Sequence, residues 1–196
     1  MARRSDDTGQ VFDAVVVAGG AATRFGADKT RAALEGVPLL DRVLAAVTDA
    51  DSTIVVADPR PVPSEVLWVR EDPAGSGPAN AVVAALDHIR APLVVLLAAD
   101  LPYVTTGTVG RLLAAADAGG LVEGALLRDP TGRLQYLCVA ARTDALRAAA
   151  AGRGWADASM RQLLSPLTLV PVDAHGREAF DVDEPGDLHP GTTVTT

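Results

Sequence analysis

The stretch FDAVVVAGG, residues 12–20, decides the fold class. Apart from Asp13 it is an apolar run rich in valine, and short runs of this kind are typical of strands buried on both faces of a parallel sheet. The run ends in Gly19-Gly20, which allow the chain to turn sharply as soon as the strand is over. The sequence therefore predicts a buried first strand whose carboxyl end leads into a glycine-rich loop.

Strand-like and helix-like segments alternate along the rest of the chain. Apolar runs predict further strands at residues 53–57, 66–69, 93–97, 121–127, 134–140 and 167–172. Helical patterns predict helices at residues 39–47, 79–89, 143–150 and 158–164, and one that Thr105 or Thr106 caps and that runs to about residue 118. This alternation predicts an α/β fold with a single, doubly wound, mostly parallel sheet and helices on both faces, of the Rossmann-like type. Ligands of such sheets bind beyond the carboxyl ends of the strands.

Length and composition indicate one globular unit. The chain has 196 residues and shows no internal repeat or linker, so we expect one domain over residues 11–190 with flexible ends at 1–10 and 191–196. The net charge of -8 and the lack of a basic stripe argue against a nucleic-acid partner. No apolar run is long enough to span a membrane, and the first ten residues carry no secretory signal. We therefore expect a cytoplasmic protein, as a monomer or small homo-oligomer, that binds neither membrane nor nucleic acid.

The loop after the first strand carries the chemistry of a phosphate-binding site. It reads AGGAATRFGADK over residues 18–29, and its exposed backbone N–H groups can bind an anion. Arg24 can grip phosphate oxygens with paired hydrogen bonds, whereas Lys29 supplies a compact positive charge. The spacing fits neither the Walker A loop nor the dinucleotide-binding glycine pattern. Glycines and two cations at a strand end nevertheless favour a triphosphate ligand.

The same string resembles the A-G-G-x-x-x-R-M-G-x-D-K signature of the molybdenum cofactor guanylyltransferase (MobA-like) family of NTP transferases. The following LEGVPL, residues 34–39, is similar to the L-x-G-x-P-L of that family. The resemblance implies a nucleotidyltransferase fold and the transfer of a nucleoside monophosphate from an NTP to a phosphorylated acceptor. It also implies that Ala18, Gly19, Gly20, Arg24 and Lys29 bind the nucleotide.

Asp100 follows the apolar strand LVVLL in the sequence ADLP, residues 99–102. A carboxylate at such a strand end faces the ligand crevice, and Mg2+ usually takes one or two carboxylates together with phosphate oxygens. A turn aspartate before Pro102 is the alternative. The resemblance assigns Asp100 to Mg2+ and to the nucleotide. It also places Asp183, preferred over Asp181, as a second metal ligand, since FDVDEPGDL, residues 180–188, is similar to a late segment of the family.

Two further segments resemble parts of the family that contact the substrates. EDPAGSGPA, residues 71–79, implies nucleotide contacts from Asp72 and Gly77, although Asp72 can also be a turn aspartate and Asn80 a helix cap. GRLQ, residues 132–135, resembles the acceptor side, where Arg128, Arg133 and Arg153 are candidates for the acceptor phosphate.

The reaction that the resemblance implies is attack of an acceptor phosphate on the α-phosphorus of an NTP, with loss of pyrophosphate. Arg24, Lys29 and Asp100 would be the catalytic residues, Mg2+ the cofactor, GTP the favoured donor and molybdopterin a candidate acceptor. An asparagine common in guanylyltransferases is missing near Ala57, which leaves CTP open. A cytidylyltransferase, a non-catalytic nucleotide-binding regulator and a purely structural partner protein are the alternatives.

Overall fold

The computed structural model describes residues 9–19, 32–183 and 185–188. The strands are β1 Phe12–Val17, β2 Ala33–Leu34, β3 Val37–Pro38, β4 Thr53–Val56, β5 Leu67–Val69, β6 Leu93–Ala98, β7 Gly124–Arg128, β8 Leu134–Arg142 and β9 Leu169–Asp173. The helices are α1 Leu39–Ala46, α2 Pro78–Ala85, α3 Thr106–Ala116, α4 Thr143–Ala150 and α5 Met160–Leu164, with 3-10 turns at Leu86–His88 and Pro185–Leu188.

The main sheet has seven strands in the order β5-β4-β1-β6-β8-β7-β9 among the residues described. β5, β4, β1 and β6 are mutually parallel, and β7 is parallel to β9. β8 runs antiparallel to both of its neighbours, β6 and β7. The predicted mostly parallel sheet is confirmed.

Two apolar layers lie on opposite faces of this sheet because side chains alternate along each strand. In β1, Val16 packs into the layer formed with α1 and α3, while Val15 and Val17 pack into the layer formed with α2, α4 and α5. The predicted doubly wound arrangement, with helices on both faces, is therefore confirmed.

Asp13 is the one polar residue of β1 and is 1% exposed. Its carboxylate accepts hydrogen bonds from the backbone N–H groups of Arg90 and Ala91 at 2.6 and 2.9 Å. A buried carboxylate satisfied in this way ties the loop before β6 to the start of β1. The contact lies at the amino ends of these strands, away from the edge where ligands of such sheets bind.

Several predicted boundaries differ from the structure. The strand expected at 121–127 begins only at Gly124, since Gly119 and Gly120 have positive φ and Leu121 is 87% exposed. The helix expected at 79–89 ends at Ala85 and continues as a 3-10 turn. The short β2–β3 hairpin was not predicted.

Thr105 caps α3, as one of the two predicted alternatives. In the described ranges, no helix combines the length and apolar character needed to cross a bilayer.

Candidate active site

The carboxyl ends of four parallel strands meet at one edge of the sheet. The backbone N–H of Ala18 donates to the carbonyl of Val56 at 3.1 Å, and that of Ala99 donates to Val17 at 3.0 Å. The loop after β1 therefore starts between the ends of β4 and β6. Gly19 and Asp100, predicted from separate motifs, both follow strands that end at this edge.

The first loop is described only as far as Gly19. Ala18 is buried, and a Cβ atom on Gly19 would lie 3.5 Å from the carbonyl oxygen of Val56 and 3.8 Å from Oε1 of Glu71. Gly19 thus lies against the ends of β4 and β5. Gly20, Arg24 and Lys29 lie outside the described residues.

The loop at residues 71–77 forms the neighbouring wall. Glu71 is 7% exposed, and its Oε1 accepts a hydrogen bond from the backbone N–H of Gly75 at 2.8 Å. Asn80 spans the loop, because its Nδ2 donates to the Asp72 carbonyl at 3.1 Å and to Ser76 Oγ at 2.7 Å. Asn80 therefore stabilises the loop by hydrogen bonds and is not the helix cap considered above. The Asp72 side chain is exposed.

Glu71 was not predicted as a site residue, although it is an acidic residue just after a strand, as Asp100 is. Its carboxylate joins the two loops, since it holds Gly75 and lies beside Gly19.

Gly77 precedes the first residue of α2 with φ +96° and ψ 166°. It packs against the backbone of residues 157 and 158, and the Asp157 N–H donates to the Ser76 carbonyl at 2.6 Å. The loop before α5 therefore supports the loop before α2.

A cavity of about 560 Å3 opens beside these loops. Its lining includes Asp100 and Asp181 together with Arg133 and Arg161, over an apolar wall that contains Met160. The structure thus brings Asp100 and Asp181 to one cavity. Asp183 is exposed and does not line it; its backbone N–H donates to Asp187 Oδ2 at 2.9 Å.

A somewhat larger cavity, about 620 Å3, lies at the opposite edge of the sheet near the amino ends of β4 and β5. None of the predicted site residues lines it. This cavity is not the active site, because it lies away from the carboxyl ends of the strands that lead to the motifs.

The carboxylates beside the first cavity repel one another. Burial raises the pKa of Asp181, and the nearby carboxylates of Asp183 and Asp100 raise it further, whereas Arg133 lowers it. The nearest atoms of Arg133 and Asp181, Nη2 and Oδ2, are 3.8 Å apart. A cation bound between these carboxylates would relieve their mutual repulsion.

No group of three or more His, Cys, Asp or Glu side chains suited to a metal occurs among the described residues. Two carboxylates at the cavity are nonetheless compatible with Mg2+, because this ion keeps several waters and takes its other oxygens from phosphates. Cys138 is not a rival ligand, since burial raises the pKa of its thiol to about 12.

Three hydrogen-bonding contacts hold the segment that carries Asp181 to the rest of the fold. The side chain of Glu178 binds α3, the amide of Gln135 donates to the Ala179 carbonyl at 2.9 Å, and the Val182 N–H donates to the Asp100 carbonyl at 3.0 Å. Asp100 and the late segment are therefore in direct backbone contact.

Of the three candidate acceptor arginines, only Arg133 lines the cavity. Arg128 pairs with Asp173 at 2.7 Å, and the Arg153 guanidinium stacks 3.8 Å from the ring centre of Trp155. Arg161, at the start of α5, also lines the cavity and was not predicted. No local pattern distinguishes it from a solvated helical arginine.

Comparison with known proteins agrees with this architecture. The model of the MobA-like NTP transferase domain matches residues 14–172. The molybdenum cofactor guanylyltransferase of Rhodobacter capsulatus and a probable molybdenum cofactor guanylyltransferase of Deinococcus radiodurans are each 32% identical over 182 residues, covering 89% of this chain and 91% of theirs. The structure of molybdopterin-guanine dinucleotide biosynthesis protein A from Archaeoglobus fulgidus superposes with a TM-score of 0.68 at 19% identity, over 90% of this chain and 94% of that one.

At 19% identity the structural likeness supports the fold alone. The family model, in contrast, spans most of the chain, including Gly19, Gly77 and Asp100. The chain belongs to the MobA-like NTP transferase family and is a nucleotidyltransferase.

Proposed function

We propose that the protein transfers GMP from GTP to the phosphate of molybdopterin and releases pyrophosphate. The single observation that carries this proposal is the cavity in which Asp100 and Asp181 lie together, beside the two glycine-containing loops at the sheet edge. The names of the two relatives that match most of this chain support the choice of guanine donor and molybdopterin acceptor. GTP is a cytoplasmic metabolite, so a cytoplasmic location fits the reaction.

The donor nucleotide would lie against Ala18, Gly19 and the loop at residues 71–77. Backbone N–H groups of the first loop, with Arg24 and Lys29 further along the sequence, would neutralise the β- and γ-phosphates and the pyrophosphate that leaves. The positive φ of Gly77 and its packing against the backbone of residues 157 and 158 would hold this loop beside the nucleotide. Catalysis then depends on alignment and charge stabilisation rather than on a covalent intermediate.

Asp100 and Asp181 are the residues that would hold Mg2+, with Asp183 as the alternative second ligand favoured by the family pattern. The position of Asp181 on the cavity supports it over Asp183. A bound Mg2+ would withdraw electron density from the α-phosphate and orient it.

The acceptor would enter from the side of β8 and α5. Arg133 and Arg161 offer positive charge to its phosphate, and Tyr136 and Met160 provide an apolar surface for the rest of the molecule. A phosphate monoester is already ionised at neutral pH, so the attacking oxygen needs no general base. The role of the protein is to hold this oxygen in line with the bond that breaks.

The test is pyrophosphate release by the purified protein with each of the four NTPs, Mg2+ and a panel of phosphorylated acceptors that includes molybdopterin. We expect release with GTP and molybdopterin, and none when EDTA replaces Mg2+. Faster release with CTP would replace the guanylyl assignment by a cytidylyl one. Tight GTP binding without release for any acceptor would identify a non-catalytic regulator.

A further inference from the structure

Glu178 is a buried carboxylate that lies outside the cavity and has no part in the reaction described above. It is 7% exposed. Thr108 donates to its Oε1 at 2.7 Å, and Arg111 Nη2 and the backbone N–H of His175 donate to its Oε2 at 2.5 and 2.7 Å. Burial alone would raise the pKa of Glu178, but these hydrogen bonds and the Arg111 charge hold it below its ordinary value. The carboxylate is therefore charged, and it binds α3 through Thr108 and Arg111 and its own loop through His175.

Glu178 stands three residues before Asp181 on a segment without regular structure. Residues 180–183 belong to neither helix nor strand, so the backbone hydrogen bonds of a sheet do not fix their position. The position is set instead by contacts at each end of the segment. Glu178 holds the start to α3, and the Val182 N–H holds the end to the Asp100 carbonyl.

The contacts between these two ends leave Asp181 little freedom. The Ala179 carbonyl accepts from Gln135, and Val182 is fully buried against Leu34 and Leu39. The Arg177 guanidinium lies 4.3 Å from the ring centre of Tyr103 and 4.5 Å from that of Phe180. Residues 178–182 therefore form a strap that is anchored at Glu178 and places Asp181 at the cavity.

We propose that Glu178 is a positioning residue that sets the placement of Asp181 relative to Asp100 and so determines the affinity of the site for a divalent cation. The proposal rests on the proposed function, because it assumes that these two aspartates share the metal. Glu178 acts only through the backbone of the strap and touches neither substrate. Partners that orient metal ligands without touching the metal commonly contribute about 10–100-fold in metal affinity.

The test is direct binding of Mn2+, as a paramagnetic substitute for Mg2+, followed by electron paramagnetic resonance. The protein is first saturated with a GTP analogue that has a methylene group between the α- and β-phosphorus and cannot be cleaved. We expect Glu178→Gln to raise the dissociation constant of Mn2+ about 10-fold. Binding of the analogue in EDTA should stay unchanged, since the nucleotide loops lie on other strands. Unchanged Mn2+ affinity in Glu178→Gln would overturn the proposal.

The matched control is Asp13→Asn. Asp13 is also a buried carboxylate with backbone donors, but it lies at the opposite end of the sheet. We expect this variant to lose stability as Glu178→Gln does while its Mn2+ affinity stays within about twofold of wild type. Equal weakening in both variants would mean that Mn2+ affinity reports only general stability, and would also overturn the proposal.

A double-mutant cycle shows whether Glu178 acts through Asp181. In an Asp181→Asn background, the further change Glu178→Gln should alter Mn2+ affinity by less than about twofold, because the ligand that it positions is gone. Fully additive effects would contradict the proposed route. If Glu178→Gln does not fold, Arg111→Gln removes one of the donors and is expected to weaken Mn2+ in the same direction. A wild-type protein that binds neither Mn2+ nor the analogue would refute the proposed function instead.

Discussion

Replacement of Gly77 by alanine should destabilise the protein and weaken GTP binding together. The φ of +96° and ψ of 166° at Gly77 fall in a region that is essentially restricted to glycine. An alanine there costs on the order of 1–3 kcal/mol. The new Cβ would lie 3.5 Å from the Ala158 carbonyl oxygen and 3.6 Å from the Asp157 Cα, which are ordinary contact distances. Backbone strain, not collision, is therefore the cost.

For a chain of this size each kcal/mol lowers the melting temperature by about 2–4 °C, so thermal denaturation should show a fall of about 2–12 °C. The strain is relieved only if the loop moves, and movement separates Ser76 from Asp157 and shifts the wall of the nucleotide site. We therefore expect a raised KM for GTP with a smaller change in the KM for the acceptor.

Gly132→Ala is the matched control for Gly77→Ala. Gly132 also has positive φ, at +91°, but lies in the β7–β8 hairpin with no atom within 4 Å of a new Cβ. It should lose about 1–2 kcal/mol of stability without a change in the KM for GTP. A Gly77→Ala protein that melts within about 1 °C of wild type and keeps its KM would refute the reasoning.

Four further outcomes are expected. Asp100→Ala should lower Mg2+-dependent turnover about 100-fold or more with an unchanged circular dichroism spectrum, and near-normal turnover would exclude Asp100 as the principal metal ligand. Lys29→Ala should weaken GTP in calorimetric titration, and unchanged affinity would remove it from the phosphate site. GTP at one hundred times its dissociation constant should raise the melting temperature by about 5–10 °C, more than ATP does. Asp72→Ala should reduce the difference between the GTP and ATP shifts more than it reduces the ATP shift itself. A larger shift with CTP than with GTP would refute the guanine preference. Because the pKa of Glu178 is lowered in the folded state, its carboxylate stabilises the fold above the ordinary glutamate pKa, and this stabilisation is lost as the pH falls through the folded pKa. In urea unfolding, the difference in the free energy of unfolding between wild type and Glu178→Gln should therefore shrink below about pH 4.3. A difference that stays constant with pH would contradict this expectation.

The central strands could be predicted because their sequences are apolar throughout and end abruptly. β1 and β6 follow this pattern, and both are almost completely buried. The β2–β3 hairpin could not be found by periodicity, since each strand has only two residues. Its turn residues, Glu35 and Gly36, both have positive φ, which is a local backbone property rather than an apolar pattern.

Only part of the candidate site could be predicted from the sequence, because some of its residues depend on contacts between distant parts of the chain. Gly19 and Asp100 could be placed because each follows a strand of the parallel set. Glu178 could not, because its partners Thr108 and Arg111 lie 70 and 67 residues away in the chain. Contacts of that separation leave no local spacing to detect.

Because β8 runs antiparallel to β6, its beginning lies at the same end of the sheet as the carboxyl ends of the parallel strands. In the proposed reaction the nucleotide would bind at the loops that follow β1 and β5, and the acceptor at the beginning of β8. That beginning is fed by the hairpin at residues 129–133, in which the Asp129 carboxylate binds the backbone N–H groups of Thr131 and Arg133. A change in the length of this hairpin would therefore alter the proposed acceptor side and leave unchanged the strands that lead to the nucleotide loops.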